Sequence, residues 1–228
     1  MEKKLNEFKQ RIAEVTDLGR AQAVLGWDQQ VNMPRGGAED RGNVLATLAG
    51  IGHQKFTSKE MGELLAQLLP FAETLDQESD DACLIKRVAH HYNKETKVTM
   101  EWVEEFARLT TIAQGAWEEA KAHNDFKLFQ PHLERIVELR REYAEFFKPY
   151  DHVYDPLLDD FEPGLKTKEV KDIFGKLRPQ QVELLKAIAA KPVIDDSFLH
   201  IPFDEQGQWD FGVDVITHFG YDWNRGRQ

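Results

Sequence analysis

Thr99–Trp117, TMEWVEEFARLTTIAQGAW, is the stretch on which the fold class turns. Within it Trp102, Val103, Phe106, Leu109, Ile112, Ala113, Ala116 and Trp117 recur every three or four residues, the repeat that stacks side chains on one face of an α-helix. The face is broad, as suits a helix in the middle of a bundle. Thr99 opens the helix, Asn124 and Asp125 end it, and it is expected to be among the most buried elements.

The same repeat extends in both directions. Residues 3–31 form one amphipathic helix on Leu5, Phe8, Ile12, Val15, Leu18, Ala21 and Leu25, ended by a turn at Met33, Pro34, Gly36 and Gly37. A second helix is predicted from Ala38 to Ile51. A third follows Thr57, with Thr57 and Glu60 as a capping box and Met61, Leu64, Leu65, Leu68 and Leu69 buried. A fourth spans Ser79–Lys94. Beyond Asp125 the pattern resumes with Pro131 at a first helical position and runs to Pro149. Tyr150–Gly164, YDHVYDPLLDDFEPG, interrupts it with a run rich in Asp and Tyr. A helix from Thr167 to about Ala190, bent or divided at Pro179, leads to an irregular or briefly extended 191–202. Asp204 caps a last helix that Gly220 stops. No alternating run is long enough for a sheet, so the class is all-α, a multi-helix bundle in one helical domain over 1–228.

Composition narrows the classes of partner. With 228 residues and 41% hydrophobic content the chain can bury a core, and its formal net charge of -11 repels phosphate backbones and anionic headgroups. No nucleic acid or membrane partner is expected. The start lacks an apolar leader and no run reaches spanning length, which leads to a soluble, cytoplasmic assignment. Cys83, the sole cysteine, excludes an internal disulfide and is read as a small buried hydrophobe in a helix.

Chemistry is harder to find. The eight histidines show no ligand-like spacing: His90 and His91 are adjacent, the others isolated, and HExxH is absent. Asp151, Asp155, Asp159, Asp160 and Glu162 could act as paired carboxylates or form a solvated loop. Asp28 and Gln29 beside Trp27 are expected to bond the backbone of the following turn, with the Trp in the core. No nucleophile elbow, phosphate loop or dinucleotide fingerprint occurs. From the residues alone, no catalytic, substrate-binding or metal site is assigned.

Three motifs in order add a resemblance. LGWDQQVNMPRGGAEDR (25–41) with VLATLA, then YDPLLDDFEPG (154–164), then FDEQGQWDFGVDVITHFGYDWNRGR (203–227) resemble the N-terminal portion of the carboxypeptidase Taq family, the M32 metallocarboxypeptidases. DFKLFQPHLERIVELRREYA (125–144) joins them.

The resemblance implies a mainly helical enzyme with a deep cleft, commonly a homodimer, that removes C-terminal residues from peptide substrates with zinc or cobalt as cofactor. In that family two histidines of HExxH and a downstream glutamate hold the ion, and the motif's glutamate is the general base. No residue of this sequence matches those motifs, nor the HPF and DxRxT segments just upstream of them. The expectation is an N-terminal fragment inactive alone, with no cofactor of its own. The alternative is a non-enzymatic helical module that pairs with itself or with a separate catalytic half.

Overall fold

The computed structural model describes residues 1–226, and helices make up most of it. The chain divides into two compact units, residues 1–171 and 172–228.

In the first unit α1 (Glu2–Val31) is followed by a 3-10 turn at Arg35–Gly37 and by α2 (Ala38–Phe56), α3 (Lys59–Ala72), α4 (Asp80–Glu95), α5 (Met100–His123), α6 (Phe126–Glu145) and the short α7 (Asp155–Asp159). The main core lies where the start of α1 meets α3 and α4: Leu5 and Phe8 pack with Met61, Leu64, Leu65 and Leu68, and with Ile85, Val88 and Ala89. Phe8, Met61, Leu68 and Ile85 are fully buried. Each such side chain contributes about 1.5–3 kcal/mol relative to exposure.

The most extensive helix pairing, α2 with α5, works differently. Gly42, Ala46 and Gly50 line the buried side of α2 at intervals of four, and a Cβ at position 42 would stand 3.3 Å from the Arg108 carbonyl oxygen. Small residues let the two backbones approach closely. α5 is nevertheless less buried than its apolar pattern predicts: only Thr111, Ala113 and Ala120 are buried on it, and Trp117 is exposed. Between α5 and α6, Trp102 donates its indole N–H to the Leu139 carbonyl at 2.8 Å, and its ring stacks on Phe106 at 4.8 Å and tilts against Tyr143 at 5.1 Å.

Several boundaries differ from the predicted ones. α2 continues past Ile51 to Phe56, so the cap of α3 is Ser58, whose hydroxyl accepts from the Met61 N–H at 3.3 Å. Thr57 instead donates to the His53 carbonyl within α2, and Leu69 is exposed rather than buried. Asp125 caps α6, which places Pro131 inside the helix and not at its first position. Cys83 is exposed, and its thiol donates to the Gln77 carbonyl at 3.4 Å.

α8 (Thr167–Ala189) begins in the first unit and continues into the second, with Pro179 inside one unbroken helix. The second unit adds a 3-10 turn at Ser197–Leu199 and α9 (Glu205–His218). Asp204 caps α9 as predicted, accepting from the Gly207 N–H at 2.6 Å. Gly220 follows at φ 85°, a left-handed conformation that glycine adopts freely.

Candidate functional site

The acidic stretch 150–164 folds against α4 and α6 around one cation. Lys94, near the end of α4, donates from Nζ to Asp159 Oδ2 at 2.7 Å, to Asp160 Oδ1, and to the Pro156 carbonyl at 3.5 Å. Tyr143 of α6 donates its hydroxyl to the same Asp160 oxygen at 2.8 Å. The second oxygen of Asp159 accepts the Gly164 N–H at 2.8 Å, a reach that the left-handed Gly164, φ 85°, makes possible. Phe147 lies 5.4 Å from the Lys94 ammonium, close enough for a cation–π contact.

Asp155 is nearly buried, 5% exposed, and does separate work. Its Oδ1 accepts both the Thr167 N–H, at 2.8 Å, and the Thr167 hydroxyl, at 2.6 Å. Lys166 stands 3.6 Å from its other oxygen. This carboxylate therefore fastens the start of α8 to α7 within the first unit. Asp151, although exposed, lies 3.7 Å from the same Lys166, so of the predicted cluster Asp151 and Asp155 gather about Lys166, Asp159 and Asp160 about Lys94, and Glu162 is exposed.

The electrostatics describe a brace. Burial alone would push the Lys94 ammonium down, but its bonds to Asp159 and Asp160 prevail and hold it above the usual lysine range. Burial likewise raises the Asp159 carboxyl, and the Lys94 bond with the Gly164 N–H more than offsets it, leaving it below the ordinary value. The Thr167 hydroxyl lowers Asp155 against the opposing effect of burial. Burial and then the bond to Asp160 push the Tyr143 phenol well up. A general acid or base works best with a pKa near the operating pH. Every shift here moves away from neutrality, which favours charged Lys94, Asp155 and Asp159 and an uncharged Tyr143.

Beside it, a groove of about 320 Å³ is lined by His90, Lys94, Phe147, Tyr150, Pro156 and Lys166, among others. His90 Nε2 comes within 3.4 Å of Asp159 Oδ2. Nothing in the sequence singled out Lys94, Tyr143 or Thr167. The adjacent Asp159 and Asp160 were read as paired carboxylates or a solvated loop, with no cation expected beside them.

The 25–41 stretch proves to be a joint between helices. Arg41 of α2 donates to the Leu25 carbonyl and to Asp28 Oδ2, the latter at 2.5 Å. The Arg41 bond holds the Asp28 carboxyl below its usual range. Gln29 donates to the Thr111 carbonyl of α5 at 3.2 Å. The expected bonds from this pair to the turn backbone are replaced by reaches to α2 and α5, and Trp27 is 48% exposed rather than in the core. In the third stretch, Trp223 donates to the Thr217 hydroxyl at 2.9 Å and packs edge-on against Tyr221 at 4.7 Å.

A family model described as Carboxypeptidase Taq (M32) metallopeptidase matches residues 7–228. The chain belongs to this family. Carboxypeptidase 1 of Bacillus subtilis is 30% identical over 224 residues, covering 97% of this chain and 44% of that protein. Thermostable carboxypeptidase 1 of Thermus thermophilus is 31% identical over 235 residues, covering 98% and 45% respectively. Among solved structures, that of BsuCP superposes with a TM-score of 0.89 at 29% identity, over 99% of this chain and 45% of its own. The M32 carboxypeptidase of Deinococcus radiodurans R1 gives 0.76 at 30% identity over the same shares. This M32 chain thus spans less than half the length of the relatives it matches, in keeping with the expected N-terminal portion of an all-α metallopeptidase fold.

The family implies a metal, and the residues present do not fit one. Among the described residues no group of three or more His, Cys, Asp and Glu could hold an ion. Where His90 meets Asp159, the Lys94 ammonium is already seated on the carboxylate oxygen an ion would need. Among the described residues no helix is long and apolar enough to cross a membrane.

Proposed function

We propose that this chain supplies the N-terminal, helical portion of a metal-dependent carboxypeptidase acting on peptides, and that the ion and the groups moving protons lie on polypeptide outside residues 1–228. Coverage carries this reading: the family match runs from residue 7 to 228, yet the chain accounts for only 44% of the Bacillus relative. The absence of HExxH from the sequence agrees with it. Within such an enzyme the Lys94 brace and the Arg41 joint would keep this half's helices rigid, so that a site built against them keeps its geometry. Zinc or cobalt as the ion, a homodimer and a cytoplasmic setting belong to the same proposal.

The test combines metal analysis of the purified chain with an assay on an N-blocked dipeptide in added zinc or cobalt. The expected result is no stoichiometric metal and no turnover that a chelator abolishes. Stoichiometric zinc accompanied by chelator-sensitive turnover would overturn the reading.

A further inference from the structure

Two side-chain polar atoms are enclosed without a hydrogen-bond partner, His90 Nε2 and Asp155 Oδ2, and both belong to residues that line the groove beside the Lys94 brace. No other buried side-chain nitrogen or oxygen among the described residues lacks a partner. An unpaired buried polar group is costly, and each one calls for an explanation. Asp155 is the more telling of the two. Its Oδ1 is taken up by Thr167, whereas Oδ2 has only the Lys166 ammonium at 3.6 Å, too far for a hydrogen bond. Lys166 also stands 3.7 Å from Asp151, so it hangs between two carboxylates and bonds neither. Its side chain is 48% exposed and free to turn aside. The carboxyl itself is held below its ordinary range, chiefly by the Thr167 hydroxyl, so Oδ2 carries charge for an incoming donor.

The same groove holds a cation without an anion. Lys97 is exposed, lies 5.6 Å from the Phe147 ring, and has no ion-pair partner among the described residues. Phe147, Pro156 and Leu165 add apolar wall. The volume, about 320 Å³, is at the small end of the range for ligand pockets, about 300–1,000 Å³. A lone anion would leave Asp155 Oδ2 unpaired, and a lone cation would leave Lys97 so.

We propose that this groove binds a free α-amino acid with an apolar side chain. Its ammonium takes Asp155 Oδ2, where Lys166 now hovers, and its carboxylate meets Lys166 as that side chain turns away, with Lys97 adding charge. The choice of ligand rests in part on the function proposed above, because a carboxypeptidase acting on peptides releases free amino acids.

The purified chain is titrated by calorimetry with L-leucine, with leucinamide, which lacks the carboxylate, and with N-acetyl-leucine, which lacks the ammonium. Leucine should bind one-to-one, and each analogue about tenfold more weakly or worse, as the loss of a charged hydrogen bond predicts. Lys166→Gln should weaken leucine about fivefold or more without weakening leucinamide. Asp155→Asn should weaken leucine and leucinamide but not N-acetyl-leucine. Should circular dichroism show that Asp155→Asn loosens α8, the exposed Lys166 side chain still decides the matter. Three results overturn the proposal: no saturable binding of leucine, equal binding of all three ligands, or leucine binding indifferent to Lys166→Gln. Selective leucine binding by a chain that also holds zinc and shows chelator-sensitive turnover keeps this site and sinks the proposed function. A metal-free, inactive chain that ignores leucine does the reverse.

Discussion

Replacing Lys94 by Met tests whether the 150–164 stretch is held by charge. The Lys94 side chain is 12% exposed, and Asp159 and Asp160 are 26% and 27% exposed. Breaking a buried pair costs about 3–5 kcal/mol and an exposed one about 0–1 kcal/mol. Here the two stranded carboxylates are adjacent, but Asp159 keeps the Gly164 N–H and Asp160 keeps the Tyr143 hydroxyl. A loss of about 2–3 kcal/mol follows, or about 1 M in the urea midpoint at an ordinary denaturant slope. The pH dependence has a definite sign. Asp159 is depressed in the folded chain, so its stabilisation is present above the unfolded carboxyl pKa of about 3.9 and fades as pH falls through the lower folded value. Lys94 is raised, so its part is intact below about 10.4 and lost only as pH climbs through its higher folded value. The cost of Lys94→Met should therefore be full at pH 7 and smaller at pH 3, where the carboxylates begin to protonate. Urea unfolding followed by far-ultraviolet circular dichroism at both pH values measures it. A cost below about 0.5 kcal/mol at pH 7, within the range of an ordinary surface change, or one equal at the two pH values, would refute the reasoning.

Thr167→Val should cost about 1–2 kcal/mol in the same assay, because it removes a 2.6 Å bond to a nearly buried carboxylate, and Thr167→Ser should recover most of it. Ser58→Ala should cost about 1 kcal/mol by uncapping α3, whereas Thr57→Ala should change stability by less than about 0.5 kcal/mol; equal effects would mean the cap is misassigned. Gly42→Leu should lose about 1–3 kcal/mol by wedging α2 from the Arg108 backbone. Gly19→Ala, where an added Cβ meets nothing, should gain about 0.5–1 kcal/mol.

The helices were legible because what starts them is local. Ser79, Thr99 and Asp204 cap the helices that the sequence assigned to them. The misplaced boundaries share a cause that is not local. α2 outruns its apolar pattern because His53 bonds the Val98 carbonyl at 3.0 Å and Phe56 meets Tyr92 edge-on, contacts supplied by the far end of α4 and its following turn. Once α2 reaches Phe56, Thr57 is spent on its own helix and the neighbouring hydroxyl, Ser58, must serve as the next cap. Pro131 misled for a related reason: Asp125 accepts the Lys127 N–H at 3.1 Å and starts α6 before the proline is reached.

The brace was illegible for the opposite reason. Lys94 and Asp159 are 65 positions apart, and no periodicity links a lysine near a helix end to an aspartate on a later turn. What the sequence did carry was the local density of carboxylates, which fits a solvated loop as well as a paired site. The apolar stripe of α8 shows the same limit in reverse. Its pattern is plain in the residues, and a helix so patterned has to be covered by something. In this chain Leu184 and Leu185 are 60% and 63% exposed, so none of the described residues covers them.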